Sequence, residues 1–469
     1  MQNASVSEAK ALSTPNATAS DVRWSAVVGY GLAALPVQFS LITLLTLYLN
    51  YATDVIGASA SAVGIVFLLA RVWDAVSDPI IGNASDRTRS RFGRRRPWML
   101  ASTIPLAGFS WMAWSPPAGL EGGLLVAWIA VAVLGFYTAY TMFDVPHMAL
   151  GAEISIRGAT RNRMFASRQL LRTFGMLGGG TIGAAIITRD AFGASGPAWL
   201  ALGMGLFTLV AVVGGLRLLP AERTEHLGRG GDDPFRAIRD VVRNPHARLL
   251  LFVFFIESLG TAGIGALVPF TIRYVLEMPE IIPHLLGLYM LMGLLGVPLW
   301  IWLARRFEKR KLWLFAMVQS GVGYGMLLFL DAGEWQLMAL SSVLAGTAGA
   351  CGNTLGHTLK AEVVDYDEYT TGERKEGSYF AAWGFMSKLA GGLMVAVVGI
   401  ALDASGYVPN VDQTEGVRDA IRFLNGGLPI AGYAIGAAAF LRFSLSETEH
   451  RRIRAELDAR AEAKPPDAP

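Results

Sequence analysis

The sequence has one cysteine, Cys351, set inside an apolar segment. An intrachain disulfide is therefore excluded, and no metal cluster can be built on thiolates. Charge is also scarce: Asp, Glu, Lys and Arg make up 16% of the 469 residues, against roughly a quarter in ordinary soluble domains. The formal net charge of +3 gives no electrostatic footing for a nucleic-acid partner. The six histidines are scattered, and the sequence has no Ser/His/Asp set, no His-Glu-x-x-His and no phosphate-cradling loop, so it offers no framework for an enzyme. The first twenty or so residues are polar and rich in Ala and Ser without an apolar stretch. They do not read as a cleaved signal peptide, and the expectation is a disordered tail with the first span acting as an uncleaved anchor.

What the chain has in abundance is apolar sequence: 53% of residues are hydrophobic, and they fall in blocks of about twenty, long enough to cross a bilayer as helices. The short alternating segments of a membrane β-barrel are not seen. The fold class read from this is an all-α membrane protein with twelve transmembrane helices. Six blocks lie in residues 24–219 and six in residues 249–443, giving two six-helix bundles. A cytoplasmic tail (1–23), a polar linker (220–248, containing Gly-Arg-Gly-Gly-Asp-Asp-Pro) and a second cytoplasmic tail (444–469) complete the chain.

The basic residues are distributed unevenly. One alternating set of loops carries Arg87, Arg89, Arg91, Arg94, Arg95, Arg96, Arg157, Arg161, Arg163, Arg305, Arg306, Lys309, Arg310, Lys311, Arg374 and Lys375, whereas the other carries mainly Arg189, Arg273 and Arg418. The positive-inside rule then places both termini in the cytoplasm of a bacterial-type inner membrane. Two six-span halves with cytoplasmic ends is the layout of the major facilitator fold, in which the halves rock about a central site.

Charges inside the apolar blocks mark that site. In span II, Asp74 and Asp78 stand at i and i+4 on one helix face, with Ser77 beside them. Counted back from the arginine loop, they lie roughly 15 and 10 Å inside the membrane. Ionised side chains at that depth cost about 3 kcal/mol or more, so each needs a partner, a proton or a bound ion. Arg71, one turn away, is one way to neutralise Asp74. A monovalent cation held by carboxylate and hydroxyl oxygens, with Thr141 of span IV supplying the missing hydroxyl, is another, and protonation is a third. Asp144 in span IV is either part of the centre or a helix-end charge paired with the next loop, and His147 reads as structural. Lys388, about 15 Å into span XI, requires a carboxylate and has Asp74, Asp78 and Asp144 as candidates; a plain structural ion pair is the competing reading. Gln38, Asn353, His357, Trp73 and Trp383 are pocket or packing residues.

With these motifs in place the chain resembles the glycoside-pentoside-hexuronide:cation symporters, the melibiose carrier-like family of the major facilitator superfamily. The resemblance rests on Tyr51-Ala-Thr-Asp54-Val-Ile-Gly57, Asp74-Ala-Val-Ser-Asp78-Pro79, Thr88 through Pro97-Trp98, Tyr140-Thr-Met-Phe-Asp144-Val-Pro146, and Val364-Asp365-Tyr366 through Glu376 to Lys388. It implies a cation site of Asp74, Ser77, Asp78 and Thr141, with Lys388 coupling cation to solute. It also implies a solute site drawn from Asp144, Tyr140, Gln38, Arg168, Gln169, Asn353, Trp383 and Lys388. Gly82, Asp86, Arg87, Arg94 and Arg95 resemble the gating loop of major facilitators. Three positions depart from the family pattern, with Gln38 replacing an acid, and Met148 and Asn353 each replacing a tryptophan. In span V the family's arginine aligns with Gln169, while Arg168 is one residue away.

These readings predict a secondary active symporter of about twelve spans, a monomer in the lipid bilayer. It has no cofactor beyond Na⁺ or H⁺ as coupling ion, no metal other than a transported monovalent cation, and a small organic solute as partner. The departures favour a glycoside, pentoside or uronate other than melibiose. A carrier of an amphiphilic or lysolipid-type solute is the alternative. A non-transporting sensor would need an output domain, which about 25 residues after Ser444 do not supply.

Overall fold

The computed structural model describes residues 22–154, 158–188, 195–220, 241, 243–372 and 376–462, and among these every regular element is helical. The tail before residue 22, the linker over 221–240 and 242, the chain after 462, and Arg157, Arg189, Arg374 and Lys375 lie outside the described residues, as does the side chain of Asn353.

The N-terminal half contains α1 (Trp24–Asp54), α2 (Ala60–Arg87), α3 (Arg96–Trp114), α4 (Gly122–Glu153), α5 (Thr160–Ile187) and α6 (Gly196–Leu218). The C-terminal half contains α7 (Pro245–Val275), α8 (Pro279–Leu303), α9 (Lys309–Phe329), α10 (Trp335–Thr371), α11 (Glu376–Ala404) and α12 (Glu415–Phe440). Ten of these helices are long and apolar enough to cross a membrane. The other two, α3 and α10, occupy the places expected for the third and tenth spans. α3 has only 19 residues, including two prolines, and the 37-residue α10 is diluted by Gly, Ser, Thr and His.

Two boundaries differ from expectation. The linker was read to residue 248, but α7 starts at Pro245 because the Asn244 side chain accepts the backbone N–H groups of His246 and Ala247 at 3.0 and 3.2 Å, an N-cap that hydropathy alone does not register. The stretch read as a tail after 444 contains α13 (Glu447–Glu462). It docks on α10 through buried Ile453 and through His450 and Arg454, which reach Asp365 at 3.0 and 3.4 Å.

The halves meet along α2 and α11, α1 and α7, and α5 and α8. Glycine makes the first contact possible. A Cβ on Gly64 would sit 2.8 Å from the Val395 carbonyl oxygen and 2.9 Å from Ala396 Cα, and one on Gly392 would sit 2.7 Å from Arg71 Cβ. With no hydrophobic drive between helices in lipid, close backbone approach of this kind supplies the packing.

At the face opposite the arginine-rich loops, a polar latch completes the closure. The Asp54 carboxylate, at the end of α1, accepts Tyr274 Oη at 2.7 Å, the Tyr407 hydroxyl, and Asn50 Nδ2 at 2.9 Å, with Arg273 at 3.2 Å. Asn410 Nδ2 donates to its backbone carbonyl at 2.6 Å. Nearby, Asp403 at the end of α11 accepts Ser59 Oγ and Ser61 N at 2.7 and 2.9 Å. These bonds tie the N-terminal half to the C-terminal half at one face.

Candidate cation and solute site

The i, i+4 spacing of Asp74 and Asp78 on α2 turns both carboxylates toward α4 and α11. Thr141 Oγ1 donates to Asp74 Oδ1 at 2.8 Å and lies 3.2 Å from Asp78 Oδ1, so one hydroxyl bridges the two acids. Ser77 Oγ lies 3.4 Å from Thr141 Oγ1. Across the interface, Lys388 of α11 places its ammonium 2.5 Å from Asp78 Oδ2 and 3.0 Å from Asp74 Oδ2. Asp74, Ser77 and Thr141 are buried, whereas the Asp78 side chain remains 34% exposed.

Arg71 stands further off, 3.7 Å from Asp74 Oδ2, with its guanidinium over the Tyr137 ring at 4.8 Å. The charge at the centre therefore sums to zero, with two carboxylates against one close ammonium and one distant guanidinium. Four oxygen-bearing side chains stand together here, and the ammonium that faces two of them is carried on a long stem. A monovalent cation that displaced it would find carboxylate and hydroxyl oxygens already arranged.

Asp144 belongs to a second cluster. Among Lys388's three candidate acids it is the one left out. It pairs instead with Arg168 Nη2 at 2.5 Å, within the N-terminal half. Arg168 Nε donates to His147 Nδ1 at 3.3 Å, and His147 Nε2 faces the Tyr30 carbonyl at 2.9 Å. That network fits the Nε2–H tautomer and gives His147 a positioning role. Gln38 accepts Arg172 Nε at 3.1 Å, and Tyr140 is buried beside the same group of charges.

On α5 it is Arg168 that reaches Asp144; Gln169 is exposed, two turns before Met176 of the cavity wall, and has no described side-chain contact with that cluster. Trp383, read as a pocket or packing residue, is buried against Tyr379, with the Lys360 ammonium 5.5 Å from its ring centre.

In the last turn of α2, Asp86 pairs with Arg95 of the following loop and lies 3.7 Å from Arg94. Both arginines also hold Glu153 at the end of α4, at 2.8 and 3.0 Å. Arg87 is exposed, and Gly82 has room for a Cβ at 3.6 Å from Val145. Glu153, Arg172 and Tyr30 were not singled out from sequence. Glu153 at a helix end before a basic loop was a readable signal, whereas Tyr30 and Arg172 become recognisable only once α1 and α5 are seen side by side.

Between the halves lies a cavity of about 250 Å³ lined by Ile42, Leu45, Met176, Val268, Leu285 and Leu327, with Arg71 as its charged contributor.

Two six-helix halves closing on a charged centre define a secondary transporter of the major facilitator fold. The chain belongs to the MFS/sugar transport protein family, whose pattern matches residues 29–447, and it is a transporter rather than an enzyme. It is 28% identical over 442 residues to the isoprimeverose transporter of Lactiplantibacillus pentosus, covering 92% of this chain and 91% of that protein. It is 25% identical to the glucuronide carrier protein homolog of Escherichia coli K12, covering 93% and 96%. It is 23% identical to the sodium-dependent lysophosphatidylcholine symporter 1-A of Danio rerio, covering 90% and 86%. Its fold matches the crystal structure of a D-xylose-proton symporter with a TM-score of 0.66 at 13% identity, covering 90% and 98%.

Proposed function

We propose that the protein is a cation-coupled symporter that imports a glycoside, pentoside or uronate by alternating access, with the cation held by Asp74, Ser77, Asp78 and Thr141. The observation that carries this reading is Lys388 bridging from α11 to both acids of α2. The ammonium satisfies the acids when no cation is bound. A bound cation frees it, removing a cross-half attachment and letting the halves move, so that cation occupancy and conformational change are linked. Asp144, Arg168, Arg172, Tyr140 and Gln38 supply carboxylate, guanidinium and amide groups suited to sugar hydroxyls or a uronate carboxylate, with Trp383 deeper in the C-terminal half. The termini face the cytoplasm of the inner membrane, and the carrier works as a monomer.

A second reading has its own support. The cavity between the halves is mostly apolar with Arg71 at its wall, an environment suited to an amphiphile with an anionic head, and one relative is named for lysophosphatidylcholine. The two readings separate in vesicles containing the purified protein. Uptake of isoprimeverose, a glucuronide and lysophosphatidylcholine is measured with an inward Na⁺ gradient, an inward H⁺ gradient and neither. Sugar accumulation that requires one ion gradient and is reduced to simple equilibration by Lys388→Ala supports the first reading. Cation-driven uptake of lysophosphatidylcholine alone supports the second, and an unchanged cation dependence in Lys388→Ala overturns the coupling role.

A further inference from the structure

Two intramembrane charges lie outside the centre described above. Glu257 on α7 and Lys360 on α10 both belong to the C-terminal half. Their depth follows from the neighbouring contact of Tyr366 with His246, whose rings lie 4.6 Å apart near the start of α7. From that level, at 1.5 Å per residue, the Lys360 backbone is about 9 Å further in and that of Glu257 about 16 Å. Side chains lean toward the N-terminus of their own helix. Because α7 and α10 run in opposite directions, the two side chains lean toward each other.

They do not form an ion pair. The Lys360 ammonium, with the residue 3% exposed, rests 3.6 Å from the centre of the Phe254 ring and 5.5 Å from that of Trp383. Phe254 is one turn before Glu257 on the same helix. The carboxyl of Glu257 takes one donor, Trp313 Nε1 at 3.2 Å, and the residue is partly exposed.

An ionised carboxylate offers about four acceptor sites, and one indole N–H leaves most of them unmet. Leaving a bare carboxylate at this depth while a lysine nearby sits on aromatic faces costs more than transferring one proton to it. The other titratable neighbours are the Tyr324 hydroxyl from α9, the Cys351 thiol from α10 and the Tyr433 hydroxyl from α12. All three are neutral in ordinary buffer. Among the described residues, Lys360 is the charge that acts on Glu257.

We propose that Glu257 and Lys360 form a proton site separate from the oxygen cluster of α2 and α4: Glu257 holds the proton in this state and releases it to water as the Lys360 ammonium leaves the rings to pair with the carboxylate. The ammonium keeps its charge throughout, so one proton enters or leaves and the site alternates between a neutral acid beside a ring-held lysine and a closed ion pair. Only the coupling of this step to transport rests on the symporter reading.

The test is infrared difference spectroscopy of the full chain in phosphatidylcholine vesicles, titrated from mildly acidic to alkaline buffer without solute or ion gradient. The wild type is expected to show a protonated-carboxyl band that disappears with rising pH. Glu257→Gln should lack that band, and Asp78→Asn should keep it. Lys360→Met removes the charge that favours the carboxylate and should move the titration upward by about one pH unit or more. A band that persists in Glu257→Gln, or a titration unmoved in Lys360→Met, would overturn the proposal. The second outcome decides even if Glu257→Gln does not fold. Because the measurement contains neither solute nor gradient, failure of the symport reading leaves its result unaffected.

Discussion

Replacing Asp74 by Asn tests the centre most directly, because this carboxylate is buried and accepts Thr141 at 2.8 Å while facing Lys388 at 3.0 Å. In the wild type, a cation that displaces Lys388 leaves two acids against itself and Arg71, a total of zero. In Asp74→Asn the same exchange leaves one acid against two positive charges, a total of +1. Removing one partner from a buried pair of this kind costs about 3–5 kcal/mol, which corresponds to roughly a hundredfold to a few-thousandfold loss of cation affinity. The assay is initial solute uptake in vesicles as a function of external cation concentration, with solute exchange at equal cation on both sides as the measure of folded, mobile carrier. The half-saturating cation concentration should move beyond the accessible range while exchange persists. Accumulation with a half-saturation close to the wild-type value would show that Asp74 holds no cation, and that Arg71 and Lys388 simply neutralise a structural acid.

Two further outcomes follow from how the halves meet. Asp54→Asn weakens the bonds from Tyr274, Tyr407 and Arg273. Spin labels at the exposed positions Val55→Cys and Val408→Cys, in a Cys351→Ala background, should then report a longer and broader distance distribution, and an unchanged distribution would show that the latch does not hold that face shut. Gly64→Val puts side-chain atoms into the Val395–Ala396 backbone, where even a Cβ lies at 2.8 Å. Transport should fall about tenfold or more with the protein still inserted in the membrane; normal transport would mean that this close approach is dispensable.

Much of the fold was legible because a bilayer imposes simple rules: apolar blocks of spanning length, breaks filled with polar residues, and arginines gathered on one set of loops. The helices α3 and α10 were read as apolar blocks like the rest, although prolines in one and small polar residues in the other dilute them. The acids of α2 were visible because i, i+4 spacing fixes a shared face whatever surrounds the helix. Thr141 and Lys388 were candidates on depth and residue type, and Lys388 had three acids to choose among.

Tertiary structure made the choices that one-dimensional spacing leaves open. It gave Lys388 to Asp74 and Asp78 and gave Asp144 to Arg168, because the crossing of α2 with α11 sets which charges fall within reach. It also aimed Arg168 rather than its neighbour Gln169 at Asp144, since a single residue along a helix rotates a side chain by about 100°, and it packed Trp383 beside Lys360. The Asp54 latch joins an acid to partners more than two hundred residues away in sequence. A chain can announce that it holds costly charges in an apolar medium, but which of them neutralise one another depends on distances that exist only after the helices pack.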